Sequence, residues 1–155
     1  MKTKIIVVSD NHGRQDVLQK IVHDHFDADA FLHCGDTELP DELVRDFVCV
    51  KGNNDYYSDH PYERTVTVNG LKILLSHSHQ HTYYSRLDSL AKKAKGEGCS
   101  LVCYGHTHSF YYGSENGIRF LNPGSVTYPR DGKKPCYAVI TFDEDHFDVQ
   151  RVFLK

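Results

Sequence analysis

The sequence has no tryptophan, a single methionine and no Cys-x-x-Cys pair. Its five cysteines (Cys34, Cys49, Cys99, Cys103 and Cys136) are odd in number, and four of them lie in or beside apolar runs. This argues against a disulfide framework or a thiolate metal site. It fits small core residues in a reducing compartment, the cytoplasm. Long apolar runs are missing as well. The opening "MKTKIIVVSDNH" has only four consecutive apolar residues, too few for a signal-peptide core or a membrane span. No long basic run occurs and the formal net charge is −3, so nucleic-acid binding through phosphate neutralisation is not favoured. There is no low-complexity segment, internal repeat or linker. A chain of 155 residues, 39% hydrophobic and 25% charged, is then expected to form one globular domain over 1–155 with a proper core. Nothing in these features speaks against a homo-oligomer.

Histidine is the residue in excess, with eleven copies. Its placement follows from a coarse reading of the elements. Residues 3–9, "TKIIVVS", read as a buried strand, and 14–26 carry Val17, Leu18, Ile21, Val22 and Phe26 at helical spacing. "AFLHC" and "FVCVK" read as short strands, with a short helix around "PDELVRDF" between them. Asn69-Gly70 sits in "YERTVTVNGLKILLSH" as a two-residue hairpin turn. A helix is expected over 83–95, ended by Gly96 and Gly98, then a strand "LVCYG" and two further hairpins. Such a chain is an α/β domain with two sheets or one large mixed sheet.

Five apolar runs end in cation-binding residues. "IIVVSDNH" ends in Asp10 and His12, "FLHCGD" in Asp36, and "VCVKGNND" in Asn53, Asn54 and Asp55. "KILLSHSH" ends in His77 and His79, and "LVCYGHTH" in His106 and His108. Taken singly, each is better explained as a cap, a turn residue or a satisfied interior histidine. Together, on parallel strands, they would converge on the carboxyl edge where α/β sheets form their sites. Asp10, His12, Asp36, Asn53, His77, His106 and His108 are too many donors for one tetrahedral ion but suit two ions bridged by a carboxylate. Asp36, alone at its strand end, is the candidate bridge. An all-N/O set suits manganese, and also zinc, iron, nickel or cobalt. Two such ions acidify a shared water and clamp phosphoryl oxygens, which makes phosphoester hydrolysis the leading reaction and two-metal amide hydrolysis its competitor.

The ordered blocks "DNH", "GD", "GNND", "SH" and "GHTH" resemble the calcineurin-like metallophosphoesterases. The short chain and "NPGSV" at 122–126 resemble the small YfcE-type bacterial and archaeal phosphodiesterases. The resemblance runs from Asp10 to Arg130. It implies a four-layer α/β/β/α sandwich with two mixed sheets, a metal-bridging hydroxide and a small phosphoester substrate. It also implies that Asp10, His12, Asp36 and His108 hold a first ion and that Asn53, His77 and His106 hold a second, with Asp36 shared. Larger relatives carry a histidine proton donor at the third position of the GN block. Here Asn54 stands there, and an amide does not titrate. Asn54, its neighbour Asp55 and Arg130, a phosphate contact or an exposed loop arginine, are the catalytic candidates. The tyrosine pairs Tyr56-Tyr57 and Tyr83-Tyr84 read first as surface aromatics and second as walls of an organic substrate's pocket. His81 is assigned to the start of the following helix, and the role of His79 stays open. The competing class is a non-catalytic interaction scaffold of the same fold. A complete donor set weighs against it.

Overall fold

The computed structural model describes residues 2–154, apart from the side chain of Tyr83. The elements run β1 (Thr3–Val8), α1 (Gln15–Asp24), β2 (Ala30–His33), β3 (Val48–Cys49), β4 (Glu63–Val68), β5 (Leu71–Ser76), α2 (Arg86–Gly96), β6 (Leu101–Tyr104), β7 (Tyr111–Glu115), β8 (Ile118–Asn122), β9 (Cys136–Phe142) and β10 (Phe147–Phe153). They make two five-stranded mixed sheets, ordered β10-β9-β1-β2-β3 and β4-β5-β6-β8-β7.

In the first sheet β1, β2 and β3 are mutually parallel. In the second, β5, β6 and β8 are mutually parallel. The inner faces of the two sheets meet over a core that includes Ile5, Val7, Leu32, Ile73, Leu101 and Ile140. Alternate residues of β1, Ile6 and Val8, face outward and pack with Leu18 and Ile21 of α1. On the far side Leu74 and Val102 pack with Leu90, Ala91 and Ala94 of α2. The result is the expected four-layer α/β/β/α sandwich, in which each sheet is covered by one helix.

Local chemistry explains most boundaries. Asn69 and Gly70 both have positive φ, at 45° and 87°, as the primed hairpin turn between β4 and β5 demands. Asn116-Gly117 repeats this between β7 and β8, with φ 55° and 78°. Four expectations shift. The segment around "PDELVRDF" makes only a single 3-10 turn, Asp41–Val44, and "FVCVK" contracts to the two residues of β3. The expected helix over 83–95 opens with a 3-10 turn, Tyr83–Ser85, and becomes α-helical at Arg86. His81 lies in the bend before that turn, where its ring bridges Ser89 and Glu63 and so cannot follow a helical path.

Candidate metal centre

All five ligand-bearing strands deliver their carboxyl ends to one edge. β1, β2 and β3 arrive from the first sheet, β5 and β6 from the second. Seven candidate donors therefore meet across the gap between two sheets.

Three imidazoles turn the same nitrogen inward. His77 Nδ1 donates to the carbonyl of Cys34 at 2.8 Å, and His108 Nδ1 donates to the carbonyl of Tyr128 at 2.7 Å. His12 Nδ1 is held by the Glu38 carboxylate. Fixing Nδ1 on an oxygen sets the tautomer and leaves the Nε2 lone pair to face the centre, the usual support of a metal-binding histidine. These Nε2 atoms crowd one oxygen. Asp10 Oδ1 lies 3.2 Å from His108, 3.7 Å from His77 and 3.8 Å from His12, yet among the described residues it accepts no hydrogen bond although it is buried. His12 Nε2 and His108 Nε2 are themselves 3.2 Å apart. Lone pairs pointed at one another in a buried space cost free energy unless a cation lies among them. The donors present therefore fit a divalent ion.

Two groupings satisfy the spacing of a metal site, one of Asp10, His12 and His108, the other of Asp10, Asp36 and His77, each with donor atoms mutually within 4.8 Å. Asn53 joins the second. Its Oδ1 lies 2.9 Å from His77 Nε2 and 3.2 Å from His106 Nδ1. His106 and His108 thus fall on different sides of the centre. The carboxylate common to both groupings is Asp10. Asp36 leans to the second, 3.4 Å from His77, because both its oxygens accept hydrogen bonds from Asn54, the backbone N–H at 2.9 Å and Nδ2 at 3.1 Å.

The electrostatics are those of a coupled acid–imidazole cluster. Burial would raise the Asp10 carboxyl, but His108, His77 and Ser9 outweigh it and hold it below the usual carboxylate range. Asp36 is lowered in the same way, burial being overcome by His77 and the Asn54 N–H. Burial opposes charge on His77, yet Asp36 and Asp10 raise it, and Asp10 does the same for His108. His106 goes the other way, down to about 4, through burial and the charges of His77 and Arg86. His79 is lowered by burial and by His77.

The backbone is bent to suit. Asp10, His12, Asp36, His106 and His108 all have positive φ, between 46° and 74°. Non-glycine residues seldom adopt that region, and such strain clusters where the surrounding structure enforces it. Two glycines make room. A Cβ on Gly52 would overlap the backbone nitrogen and carboxylate of Asp36, and one on Gly105 would overlap the Ser9 hydroxyl and come within 3.0 Å of Asp10 Oδ2.

The three catalytic candidates sit differently. Asn54 holds Asp36, as described. The Asp55 carboxylate accepts the N–H groups of Asp36, Glu38 and Gly52, each at 2.8 Å, and ties two ligand loops together. The Arg130 side chain is exposed, while its backbone N–H donates to the carbonyl of His108 at 2.8 Å. "NPGSV" is more than a turn. The Ser125 hydroxyl donates to the Asp10 carbonyl at 2.8 Å, and Asn122 Nδ2 donates to Thr107 Oγ1, also at 2.8 Å.

Three supports carried no signal in the sequence. Glu38 is one. Buried His33 accepts the Gly35 N–H at Nδ1 and donates from Nε2 to Asn11 Oδ1 at 2.8 Å, and burial lowers its pKa to about 4. Glu63 on β4 accepts from Ser76, His81 and Lys93, each at 2.6 Å, and so grips both ends of the loop that carries His77 and His79. Among the described residues no helix is long and apolar enough to cross a membrane.

The family model described as the calcineurin-like phosphoesterase superfamily domain matches residues 3–145. The chain is 34% identical over 146 residues to the probable metallophosphoesterase YsnB of Bacillus subtilis strain 168, covering 91% of this chain and 85% of that protein. A structure from Streptococcus pneumoniae TIGR4, described as a predicted phosphoesterase, superposes with TM-score 0.92 at 31% identity, covering 99% of this chain and 90% of that one. Vacuolar Protein Sorting 29 from Cryptosporidium parvum shares the fold, with TM-score 0.75 at 17% identity over 99% of both chains.

Proposed function

The chain belongs to the calcineurin-like phosphoesterase superfamily, and from that premise we propose that it is a binuclear metal-dependent phosphodiesterase. The observation that carries this reading is the buried, unpartnered Asp10 Oδ1 facing three inward Nε2 atoms. Asp10, His12, Asp36 and His108 would hold one ion, and Asp36, Asn53, His77 and His106 the other. Asp36 is shared, as the resemblance implies, while Asp10 lies within reach of both groupings. Bound divalent ions supply Lewis-acid polarisation of the phosphoryl oxygens and acidify a water for in-line attack.

The protein's own residues do the rest. Cys34, Tyr128 and Glu38 orient the three imidazoles. Asn54 and Asp55 fix Asp36 and the loops beside it. Arg130, exposed next to His108, is assigned to the substrate phosphate. Asn54 offers no proton to a departing alkoxide, and general-acid help is worth about 10²–10⁴-fold for poor leaving groups. Activated aryl diesters should therefore turn over well and alkyl monoesters badly. Five free, buried thiols support a reducing compartment, and we place the protein in the cytoplasm.

A scaffold role shares the fold but does not call for a complete set of donors. The test is elemental analysis of the reconstituted protein with a metal-by-substrate activity grid. Two ions per chain with diester hydrolysis are expected. Saturation at one ion overturns the binuclear assignment, and full loading without hydrolysis of any phosphoester overturns the enzyme.

A further inference from the structure

A cavity of about 510 Å³ borders the centre and shares Glu38 and Asn54 with it, the residues that hold His12 and Asp36. Its volume is in the range of small-ligand sites. Its lining is one-sided. Among the described residues Glu38, Asp41, Glu42, Asp55 and Asp59 line it, and no lysine or arginine does. Glu38, Asp41 and Asp55 are engaged with His12, with His60 and the Asp59 N–H, and with three backbone N–H groups. The carboxylates of Glu42 and Asp59 have no hydrogen bond or ion pair among the described residues.

Tyr56 and Tyr57 complete the wall, with 75% and 99% of their surface exposed. Exposing two adjacent rings at the mouth of a cavity is unfavourable for packing and leaves their faces free. Tyrosine faces attract organic cations, and carboxylates add Coulombic attraction that a neutral or anionic group would not feel. The anionic end of a phosphodiester belongs at the metal centre, so the group that reaches this cavity is one of its ester alcohols.

We propose that this cavity binds a positively charged ester group, so that the substrate is a phosphodiester one of whose alcohols carries an ammonium group. The proposal rests on the phosphodiesterase reading and narrows it. It also excludes leaving groups that carry further phosphates, which five carboxylates would repel.

The test uses a matched pair of p-nitrophenyl diesters, one of choline and one of 3,3-dimethylbutanol, in which carbon replaces the quaternary nitrogen. Binding is followed by NMR titration of the full chain and hydrolysis by nitrophenol release. The choline diester should bind on the order of tenfold more tightly, with shifts at Tyr56 and Tyr57, and the ratio should fall towards one in E42Q/D59N and at high salt. Equal affinity for the pair, or a ratio that survives E42Q/D59N, overturns the proposal. A cationic preference in binding with neither diester hydrolysed would leave the cavity assignment standing and overturn the phosphodiesterase reading instead.

Discussion

The two edges of the sandwich obey different rules. At the hairpin edge, where β4 turns into β5 and β7 into β8, positive φ falls on Asn-Gly pairs, and a Cβ on Gly70 or Gly117 would meet nothing within 4 Å among the described residues. At the opposite edge positive φ falls on Asp10, His12, Asp36, His106 and His108, and Gly52 and Gly105 are packed against the carboxylates they adjoin. One edge follows local preference. The other overrides it, because donors from two sheets must converge on one small volume. Local consistency is the norm in folded proteins, and departures from it mark functional ground.

The contrast breaks most severely at the two packed glycines. Gly52→Ala and Gly105→Ala should each cost about 1–3 kcal/mol by overpacking, read from urea denaturation, and should abolish metal loading. Retention of two ions with an unchanged midpoint would show that the close approach is dispensable. Next come the donors themselves. Asp36→Asn and His106→Ala should eliminate hydrolysis while far-UV circular dichroism and the denaturation midpoint of the metal-free protein stay near wild type. Near-normal turnover with both ions bound would overturn their roles.

Glu63 tests how far the ligand edge depends on its supports. Glu63→Gln should lower activity by about 10–100-fold, as loss of an outer-shell hydrogen bond does, with weaker metal affinity as the discriminating readout. Burial pushes this carboxyl up, but hydrogen bonds from Lys93, Ser76 and His81 outweigh burial and hold it below the ordinary value of 4.5. A depressed folded pKa contributes stability that is complete above the unfolded value and lost as pH falls through the folded one. The stability gap between wild type and Glu63→Gln should therefore be constant near neutrality and close below pH 4.5. A gap independent of pH would remove the ionised carboxylate from the account.

At the hairpin edge the same kind of change should be mild. Gly70→Ala and Gly117→Ala face only the backbone cost of left-handed φ, about 1 kcal/mol, with activity untouched. The smallest effect is expected from thiol alkylation at pH 8. Burial raises the pKa of all five cysteines, that of Cys49 to about 12, so native protein should resist iodoacetamide. Rapid labelling of Cys34 or Cys103 would show that the inter-sheet core opens readily.

Much of this was legible in the chain because strands announce themselves locally. A β-branched run that stops at "SDNH" or "GHTH" shows where a strand ends and which donors follow, and parallel order then brings those ends together. The supports were not legible for the converse reason. Glu63 reads as one more charge on a strand, and its partners His81 and Lys93 come from distant segments. His33 reads as a strand residue until Asn11 is seen across from it. Asp55, in the run "GNND", looks like a reacting group. Three backbone N–H groups from two loops make it a clamp, and no local pattern encodes that.

The centre draws on both sheets, and this has a topological consequence. His12 and His108 are 96 residues apart in sequence, yet their Nε2 atoms nearly touch. An ion shared between them and Asp10 would close a covalent-like loop through most of the chain. Holding such distant segments together in an unfolded polymer is entropically costly, and the cost grows with the logarithm of loop length. The unfolded chain would have almost no affinity for the ion, so by mass action the metal would act as a clasp on the folded state, and its concentration would set how tightly the two sheets stay shut.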